Sequence, residues 1–343
     1  MARRKTIQDV AQEAGVSVAT VDRLLNGRQR VREETAMLVY EAARKTGYHA
    51  AGLIGQRLLA ERPEMTFGFV FHKEKQEFYQ QFAERIEQAV RDCNLVRGRT
   101  IIKFSPSQAP SDFAQLMLEM KGKVDVVAAT AITHHDVTEA VRELKENETP
   151  TFAVLNDFAQ GIRHAYVGLN NMKVGRIASW MVSTASREAG KVAVFVGGHR
   201  WHGHELREMG FRSHFREYAP EFQILDTMVN LETRQLTYEA TIDLLARHPD
   251  LRGIYIAGGG MEGAISALRE VREPGEVSLV VNELTGDSSR ALSDRYLTMA
   301  ISTPLDTLCR DLVQLMVEAK LKDQPSLSGQ YFLDPQIFLP ESI

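Results

Sequence analysis

The first 47 residues constrain the fold most strongly, because their apolar residues recur at helical spacing on both sides of a turn-forming glycine. One helix face is marked by Ile7, Val10, Ala11 and Ala14. Gly15 then permits a tight turn, and Ser17 is suited to cap the start of a second helix. The segment therefore predicts two short helices that cross at an angle.

The second helix presents two different faces. Val21, Leu24 and Leu25 are predicted to face the first helix. The opposite face is predicted to reach base edges in a DNA major groove, and it carries Val18, Ala19, Asp22 and Arg23. A third helix over 33–46 would close the core that two helices cannot complete alone, using Ala36, Leu38, Val39, Ala42 and Ala43.

Residues 6–27 read TIQDVAQEAGVSVATVDRLLNG, and this pattern resembles the headpiece of the LacI (lactose-repressor) family of bacterial transcription regulators. The resemblance implies a helix-turn-helix that binds double-stranded operator DNA. The DNA-binding residues expected from the motif and its flanks are Thr6, Ser17, Val18, Ala19, Thr20, Asp22, Arg23, Asn26 and Arg28.

Base preference can be read in part from the outward face. Arg23 is suited to pair with a guanine, while Val18 and Ala19 offer apolar contact to thymine methyl groups. Many members of the family have serine where this chain has Asp22. We expect the Asp22 carboxylate either to accept a hydrogen bond from a cytosine amino group or to pair with Arg23.

Charge and composition separate a head from a larger body. Residues 1–62 hold 11 Lys and Arg against 7 Asp and Glu, whereas the remainder holds 30 against 38. A cationic head is attracted to phosphates and an acidic body is repelled by them.

The sequence also bears on the cellular location. The two cysteines have no metal or pairing spacing, no apolar run reaches the roughly 20 residues of a membrane span, and no signal peptide is evident. These features predict a cytoplasmic protein without a membrane partner.

The residues 48–62 form a predicted hinge or linker between head and body. Gly47 and Tyr48 match the family, in which a short helix usually follows and a leucine wedges into the minor groove. Here Ala50 and Ala51 replace the usual Pro-Asn pair, and Leu58 is the nearest candidate wedge. A hinge helix ordered by DNA and a plain flexible linker both remain open.

From residue 63 onward, buried strand-like runs alternate with helical runs, which predicts parallel sheets covered on both faces. The fold class is therefore α/β: a three-helix headpiece (1–47), a linker (48–62) and a two-lobed, doubly wound body (63–343). The family resemblance implies a body like periplasmic sugar-binding proteins, with lobe 1 at about 63–164 and 303–321 and lobe 2 at about 165–302 and 322–343. It also implies a homodimer on a palindromic operator, because the family's tetramer-forming C-terminal heptads are absent.

The effector is expected at the carboxyl ends of the strands, where open α/β sheets bind ligands. Phe78 matches an aromatic residue that stacks on a sugar ring in relatives, and Arg207 matches the arginine of the family's R-x-x-G-F pattern. The other predicted effector residues are Asn156, Asp157, Gly259 and Glu283. Carboxylate, guanidinium and aromatic groups together favour a sugar, a polyol or a sugar acid. Trp201 is a further stacking candidate, although a loop tryptophan is more often packed.

One motif favours a different function. Residues 258–263 read GGGMEG, which satisfies G-x-G-x-x-G, and Glu283 follows about 20 residues later, as in dinucleotide-binding folds. The alternative is therefore an NAD(H)-binding regulator or a dehydrogenase. A sugar-binding lobe also places small residues at such a strand–helix turn, so we expect no cofactor and no enzyme activity.

Loop histidines raise the possibility of a metal site, but their spacing is not diagnostic and no metal is expected. They lie in two groups: His199, His202 and His204, and His134 with His135 beside Asp136. The sequence thus favours a regulator, in the family most often a repressor, whose effector shifts the population of DNA-binding conformations.

Overall fold

The computed structural model describes residues 5–26, 31–55, 62–322 and 329–343. The chain forms two compact units, the first of which contains the helical head and the second nearly all of the α/β body. No helix among the described residues is long and apolar enough to cross a membrane.

The head contains the helices α1 (Ile7–Ala14), α2 (Val18–Asn26) and α3 (Glu33–Thr46), as the sequence predicts. Gly15 ends α1 with a φ of 66°, in the left-handed region that glycine adopts without strain. Val10, Val21 and Val39 are fully buried between the helices. Leu38 was predicted for this core but is 52% exposed, because it lies on the outer side of α3.

Residues 51–55 are also helical, and Ile54 in this turn is buried against the core of the head. The residues 56–61 lie outside the described part of the chain. The predicted wedge Leu58 is among them, so the choice between hinge helix and linker stays a prediction beyond residue 55.

The body alternates strands with helices along the chain. Its strands are β1 (Glu64–His72), β2 (Arg97–Ser105), β3 (Val126–Ala129), β4 (Thr151–Val154), β5 (Ala165–Leu169), β6 (Lys191–Val196), β7 (Gln223–Ile224), β8 (Met228–Val229), β9 (Leu251–Ile256), β10 (Ser278–Asn282), β11 (Met299–Ser302), β12 (Gly329–Leu333) and β13 (Gln336–Phe338). Its helices are α4 (Glu77–Asp92), α5 (Pro110–Leu118), α6 (His135–Glu146), α7 (Asn171–Ala185), α8 (His202–Tyr218), α9 (Arg234–Arg247), α10 (Met261–Val271), α11 (Gly286–Ser293) and α12 (Leu305–Leu321).

The strands form two sheets, one for each lobe. The first sheet has the order β12-β5-β4-β3-β1-β2, and the second has β13-β11-β10-β9-β6-β7 with β8 also paired to β6. The central pairs β1–β3, β3–β4, β6–β9 and β9–β10 are parallel. Every residue of β3, β4 and β10 is buried, as expected for strands covered by helices on both faces. The predicted two-lobed, doubly wound fold is confirmed.

The lobe boundaries differ from the predicted ones. β5 and β12 belong to the first sheet, where Gly329–Leu333 pairs in parallel with Ala165–Leu169. The chain therefore crosses between the lobes after β5, after β11 and after β12. The residues 223–229 contain two short strands, β7 and β8, which both pair with β6.

Candidate functional site

A cavity of about 380 Å³ lies between the two lobes, at the carboxyl ends of their strands. Loops after β1, β3 and β4 supply its first wall, and loops after β6, β8, β9 and β10 supply its second wall. This is the place where open parallel sheets hold ligands, because the strand ends point into a common crevice. The volume is large enough for a monosaccharide-sized molecule.

The predicted effector residues Phe78, Asn156, Arg207, Gly259 and Glu283 all line this cavity. Asp157, the remaining predicted residue, does not belong to the lining. Its buried carboxylate pairs with Arg163, whose Nη2 lies 2.8 Å from Asp157 Oδ2, and Gln330 Nε2 donates to the same oxygen at 3.0 Å. Asp157 thus fastens β12 to the neighbouring strands of lobe 1.

Arg207 projects from α8 into the second wall and is only 9% exposed. Its Nε donates to Asn171 Oδ1 at 2.7 Å, and its Nη1 donates to the Ala257 carbonyl oxygen at 2.7 Å. Two hydrogen bonds fix the plane of the guanidinium, which leaves its remaining N–H groups for a ligand.

The glycine of the R-x-x-G-F pattern allows α8 to approach α7 closely. A Cβ on Gly210 would lie 2.2 Å from the Met172 carbonyl oxygen. The pattern therefore places Arg207 by bringing two helix backbones together, a packing reason that the motif alone does not reveal.

Glu283 follows β10 with a φ of 75°, in the left-handed region. Its carboxylate accepts hydrogen bonds from the Thr303 backbone N–H at 2.9 Å, from Thr303 Oγ1 at 2.7 Å and from Ser302 Oγ at 3.0 Å. Burial raises the pKa of Glu283. The side chain is thus held rigidly at the cavity surface by the start of a chain crossing between the lobes.

Aromatic rings cover part of the cavity from both walls. Phe78 and Tyr79 come from the first wall, with ring centroids 5.3 Å apart. Trp201 precedes α8 in the second lobe, yet its ring packs 5.4 Å from His72 and 6.3 Å from Phe113 of lobe 1. Trp201 lines the cavity and also packs in the lobe 1 core. Its ring can therefore stack on a ligand and at the same time pack against protein, the two roles that the sequence suggests.

Glu232 is a carboxylate that is 12% exposed and that the sequence motifs do not mark. Its carboxylate lies 3.3 Å from Lys73 Nζ and 3.7 Å from His204 Nε2, and it accepts from the Gly259 N–H at 3.1 Å. Burial opposes ionisation, but His204, Lys73 and the Gly259 N–H outweigh it and lower the pKa of Glu232 to about 2. Burial lowers the pKa of His204, and likewise that of His72, to about 4.

Glu232 also explains the glycine-rich motif. A Cβ on Gly258 would lie 2.5 Å from His204 Cε1, and one on Gly259 would lie 3.0 Å from Glu232 Cβ. Gly260 is the N-cap of α10 and has a φ of 92°. A carboxylate thus occupies the strand–helix turn where a dinucleotide fold holds pyrophosphate, which disfavours the NAD(H) alternative.

Several hydrogen bonds join the two walls around the cavity. Asn156 Oδ1 accepts from the Gly203 N–H at 2.7 Å, and the Thr133 N–H donates to the Arg200 carbonyl oxygen at 2.9 Å. Lys73 Nζ donates to the Glu232 carbonyl oxygen at 2.9 Å. These contacts hold the lobes in a closed arrangement. Within the described ranges, no group of three or more His, Cys, Asp or Glu side chains is placed to hold a metal ion.

In the head, some of the predicted DNA-binding residues cap helices and others are exposed on the surface of α2. The Thr6 side chain caps α1 in a reciprocal pair with Asp9, and Ser17 Oγ accepts from the Thr20 N–H at 3.2 Å, which confirms the predicted cap. Val18, Ala19, Arg23 and Asn26 are exposed on one side of α2. Arg28 lies outside the described residues.

Asp22 makes a different contact from either predicted one. Its Oδ1 accepts from Asn26 Nδ2 at 2.8 Å, one helical turn further along α2. The expected pairing with Arg23 is not found among the described residues. Contact with a cytosine amino group stays a prediction.

Comparison with known proteins gives two family matches. Residues 67–323 match the periplasmic binding protein domain, and residues 6–50 match the bacterial regulatory proteins of the lacI family. The HTH-type transcriptional regulator GalS of Salmonella typhimurium is 22% identical over 77% of this chain and 75% of its own. DegA of Bacillus subtilis is 24% identical over 67% of each chain. These relatives are transcriptional regulators, not enzymes.

Two solved structures show the same fold as the body. A solute-binding protein of an ABC transporter from Agrobacterium vitis, bound with α-D-tagatopyranose, has a TM-score of 0.73 and 18% identity, covering 81% of this chain and 95% of its own. Another from Actinobacillus succinogenes, with bound D-allose, has a TM-score of 0.74 and 18% identity, covering 82% and 99%. At this identity the likeness establishes the fold alone.

Proposed function

Because the chain belongs to the lacI family of DNA-binding transcriptional regulators, with a periplasmic binding protein domain as its body, we propose that a sugar or polyol in the cleft controls its affinity for operator DNA. The observation that carries this proposal is the cavity itself. It combines aromatic rings with fixed hydrogen-bonding groups, namely Phe78, Trp201, Asn156, Arg207 and Glu283. Rings stack on the apolar face of a sugar, while the polar groups pair with its hydroxyls.

The geometry also supports a route from effector to DNA. Ligand contacts to both walls favour the closed arrangement of the lobes, since only that arrangement lets both walls touch the ligand. In a homodimer, a change in lobe closure alters the spacing of the two heads on a palindromic operator. For the direction of the response we adopt the commoner arrangement in the family, in which the effector releases a repressor from its operator.

The dimer has its own test. Light scattering after size-exclusion chromatography is expected to give twice the chain mass of 38.5 kDa. A monomer that retains full operator affinity would contradict the proposed use of paired heads.

The first functional experiment is a thermal-shift screen against monosaccharides, polyols, sugar acids, sugar phosphates and NAD(H), with calorimetric titration of each hit. A ligand that binds only the folded state raises the melting temperature. We expect a sugar or polyol to raise it in the natural protein and not in Arg207→Ala. The proposal would be overturned if NAD(H) alone raised the melting temperature, or if no sugar-like compound raised it.

A further inference from the structure

We propose that the cleft selects its effector by charge: it binds a polyhydroxylated ring that is uncharged or carries an ammonium group, and it rejects the carboxylic acids and phosphate esters of the same ring. This inference rests on the proposed function, since it narrows the class of effector for the same cavity. It removes the sugar acid that the sequence left open.

The charged groups of the lining are unevenly distributed by sign. Carboxylates line the cavity at Glu77, Glu232, Glu262, Glu283 and Asp287, against cations at Lys75, Arg207 and Arg234. Lys75 and Arg234 are exposed at its rim, as is Glu77. Asp287 is also open to solvent, with 42% of its side chain exposed. The interior therefore holds three carboxylates, those of Glu232, Glu262 and Glu283, and one guanidinium, that of Arg207.

One of these three carboxylates is already neutralised by the protein, because Glu232 forms an ion pair with Lys73 at 3.3 Å. Asp287, outside this set, pairs with Arg290. Glu262 and Glu283 form no salt bridge with any described residue. Apart from the pair of Glu232 with Lys73, two carboxyl groups face one guanidinium, so acidic groups outnumber cations in the interior.

Arg207 cannot serve as a free anion receptor. Its Nε and Nη1 are committed to Asn171 Oδ1 and the Ala257 carbonyl oxygen, and it is already attracted to Glu283. An uncharged ligand can bind both groups. One hydroxyl accepts a hydrogen bond from Arg207, and the same or a neighbouring hydroxyl donates one to Glu283. A ligand carboxylate would instead compete with Glu283 for the same guanidinium.

Burial strengthens the effect of this excess of acidic groups. It raises the pKa of Glu262 and of Glu283, as expected for carboxylates in a medium of low dielectric with too few cations. A further negative charge in the same cavity increases the repulsion, whereas an ammonium group supplies the missing counter-charge.

The test is calorimetric titration near neutral pH with matched series of ligands. Each series keeps one ring and offers it as the neutral sugar, the amino sugar, the uronic acid and the 6-phosphate, and several ring stereochemistries are included. We expect the neutral or amino form to bind, and the acid and phosphate of that ring to bind at least about tenfold more weakly. An acid or phosphate that binds as tightly as its neutral parent would overturn the charge inference while leaving the sugar-sensing function intact. Binding of no compound in any series would instead refute the proposed function.

Isosteric variants test whether particular carboxylates cause the selection against acidic ligands. Glu262→Gln and Glu283→Gln each remove one carboxylate with little change in shape, and each is expected to reduce the ratio of acid to neutral dissociation constants about tenfold. Glu143→Gln removes an exposed carboxylate that pairs with Lys121, remote from the lining, and is expected to leave the ratio unchanged. An unchanged ratio in Glu262→Gln, with the variant folded and binding the neutral ring, would contradict the inference.

Discussion

The two walls of the cleft are built from different chemistry. The first wall, from lobe 1, presents the rings of Phe78 and Tyr79, and its charged groups Lys75 and Glu77 lie exposed at the rim. The second wall, from lobe 2, presents charged side chains that are buried or half-buried and already held by other protein groups, above all Arg207 and Glu283.

This difference predicts that the two walls contribute differently to ligand binding. Buried charges whose positions are fixed by several hydrogen bonds discriminate strongly between ligands, because a mismatch leaves one of them unpaired. Aromatic rings contribute stacking and exclude water with less discrimination. We therefore expect changes in the second wall to alter which ligand binds, and changes in the first wall to alter mainly how tightly it binds.

The largest expected effect belongs to Trp201, the residue that joins the walls. Trp201→Ala removes a side chain that is 4% exposed and packed among the lobe 1 core. We expect a loss of about 4 kcal/mol in the free energy of unfolding, measured by denaturant titration, since large-to-small changes in cores cost this much. Trp180→Ala, at a position that is 52% exposed, is the matched control and is expected to cost far less. Equal losses in the two variants would show that Trp201 does not link the lobes.

Arg207→Ala tests the second wall directly. It removes the remaining guanidinium donors and leaves Asn171 Oδ1 and the Ala257 carbonyl oxygen without their partner. We expect effector affinity to fall about a hundredfold, or about 3 kcal/mol, by calorimetric titration. Arg216→Ala, an exposed arginine on the same helix, serves as control. Unaltered affinity in Arg207→Ala would refute the assignment of this wall.

The buried histidines predict acid sensitivity. His72 and His204 have folded-state pKa values of about 4, below the ordinary value of 6.5, so the unfolded chain binds more protons between these pH values. Stability is therefore present above pH 6.5 and is lost as the pH falls towards 4, by about 2 kcal/mol for each histidine between pH 7 and 5. Denaturant titrations at both pH values measure the loss.

His204→Gln is expected to reduce this acid-induced loss relative to the natural protein. His135→Gln is the control, because that histidine is exposed. If His204→Gln and His135→Gln lost stability equally between pH 7 and 5, the buried histidine would not be the cause.

The smallest expected effect is that of Phe78→Leu in the first wall. Leucine keeps an apolar surface but loses the face of the ring, so effector affinity is expected to fall about tenfold, or about 1 kcal/mol. The preference among ligands should stay the same in calorimetric titrations. A changed order of ligands would mean that the first wall also sets specificity.

The sequence predicted the head more completely than the cleft. The bounds of α3 were predicted as found, because local helical periodicity marks the helix and Gly47 ends it in the left-handed conformation. In the body, the rule that ligands bind at the carboxyl ends of strands predicted both Asn156, which lines the cavity, and Asp157, which does not. Position in the chain does not tell which of two consecutive side chains turns towards the cavity.

Glu232 escaped the sequence analysis for a related reason. It follows the two-residue strand β8 in a loop where Leu231 and Glu232 both have positive φ, at 49° and 54°. No periodic pattern marks such a loop. The one available signal was indirect: the glycine run 258–260 exists because Glu232, His204 and Thr237 pack against it.

The most direct test of the account is the operator affinity of the natural protein and of Arg207→Ala, measured by fluorescence anisotropy with and without the effector. Operator DNA would first be selected from random duplexes with the full chain. The account predicts equal affinities without effector, a change of about tenfold or more on adding effector to the natural protein, and no change in Arg207→Ala. An effector that saturates the cleft of the natural protein without altering its operator affinity would contradict the account.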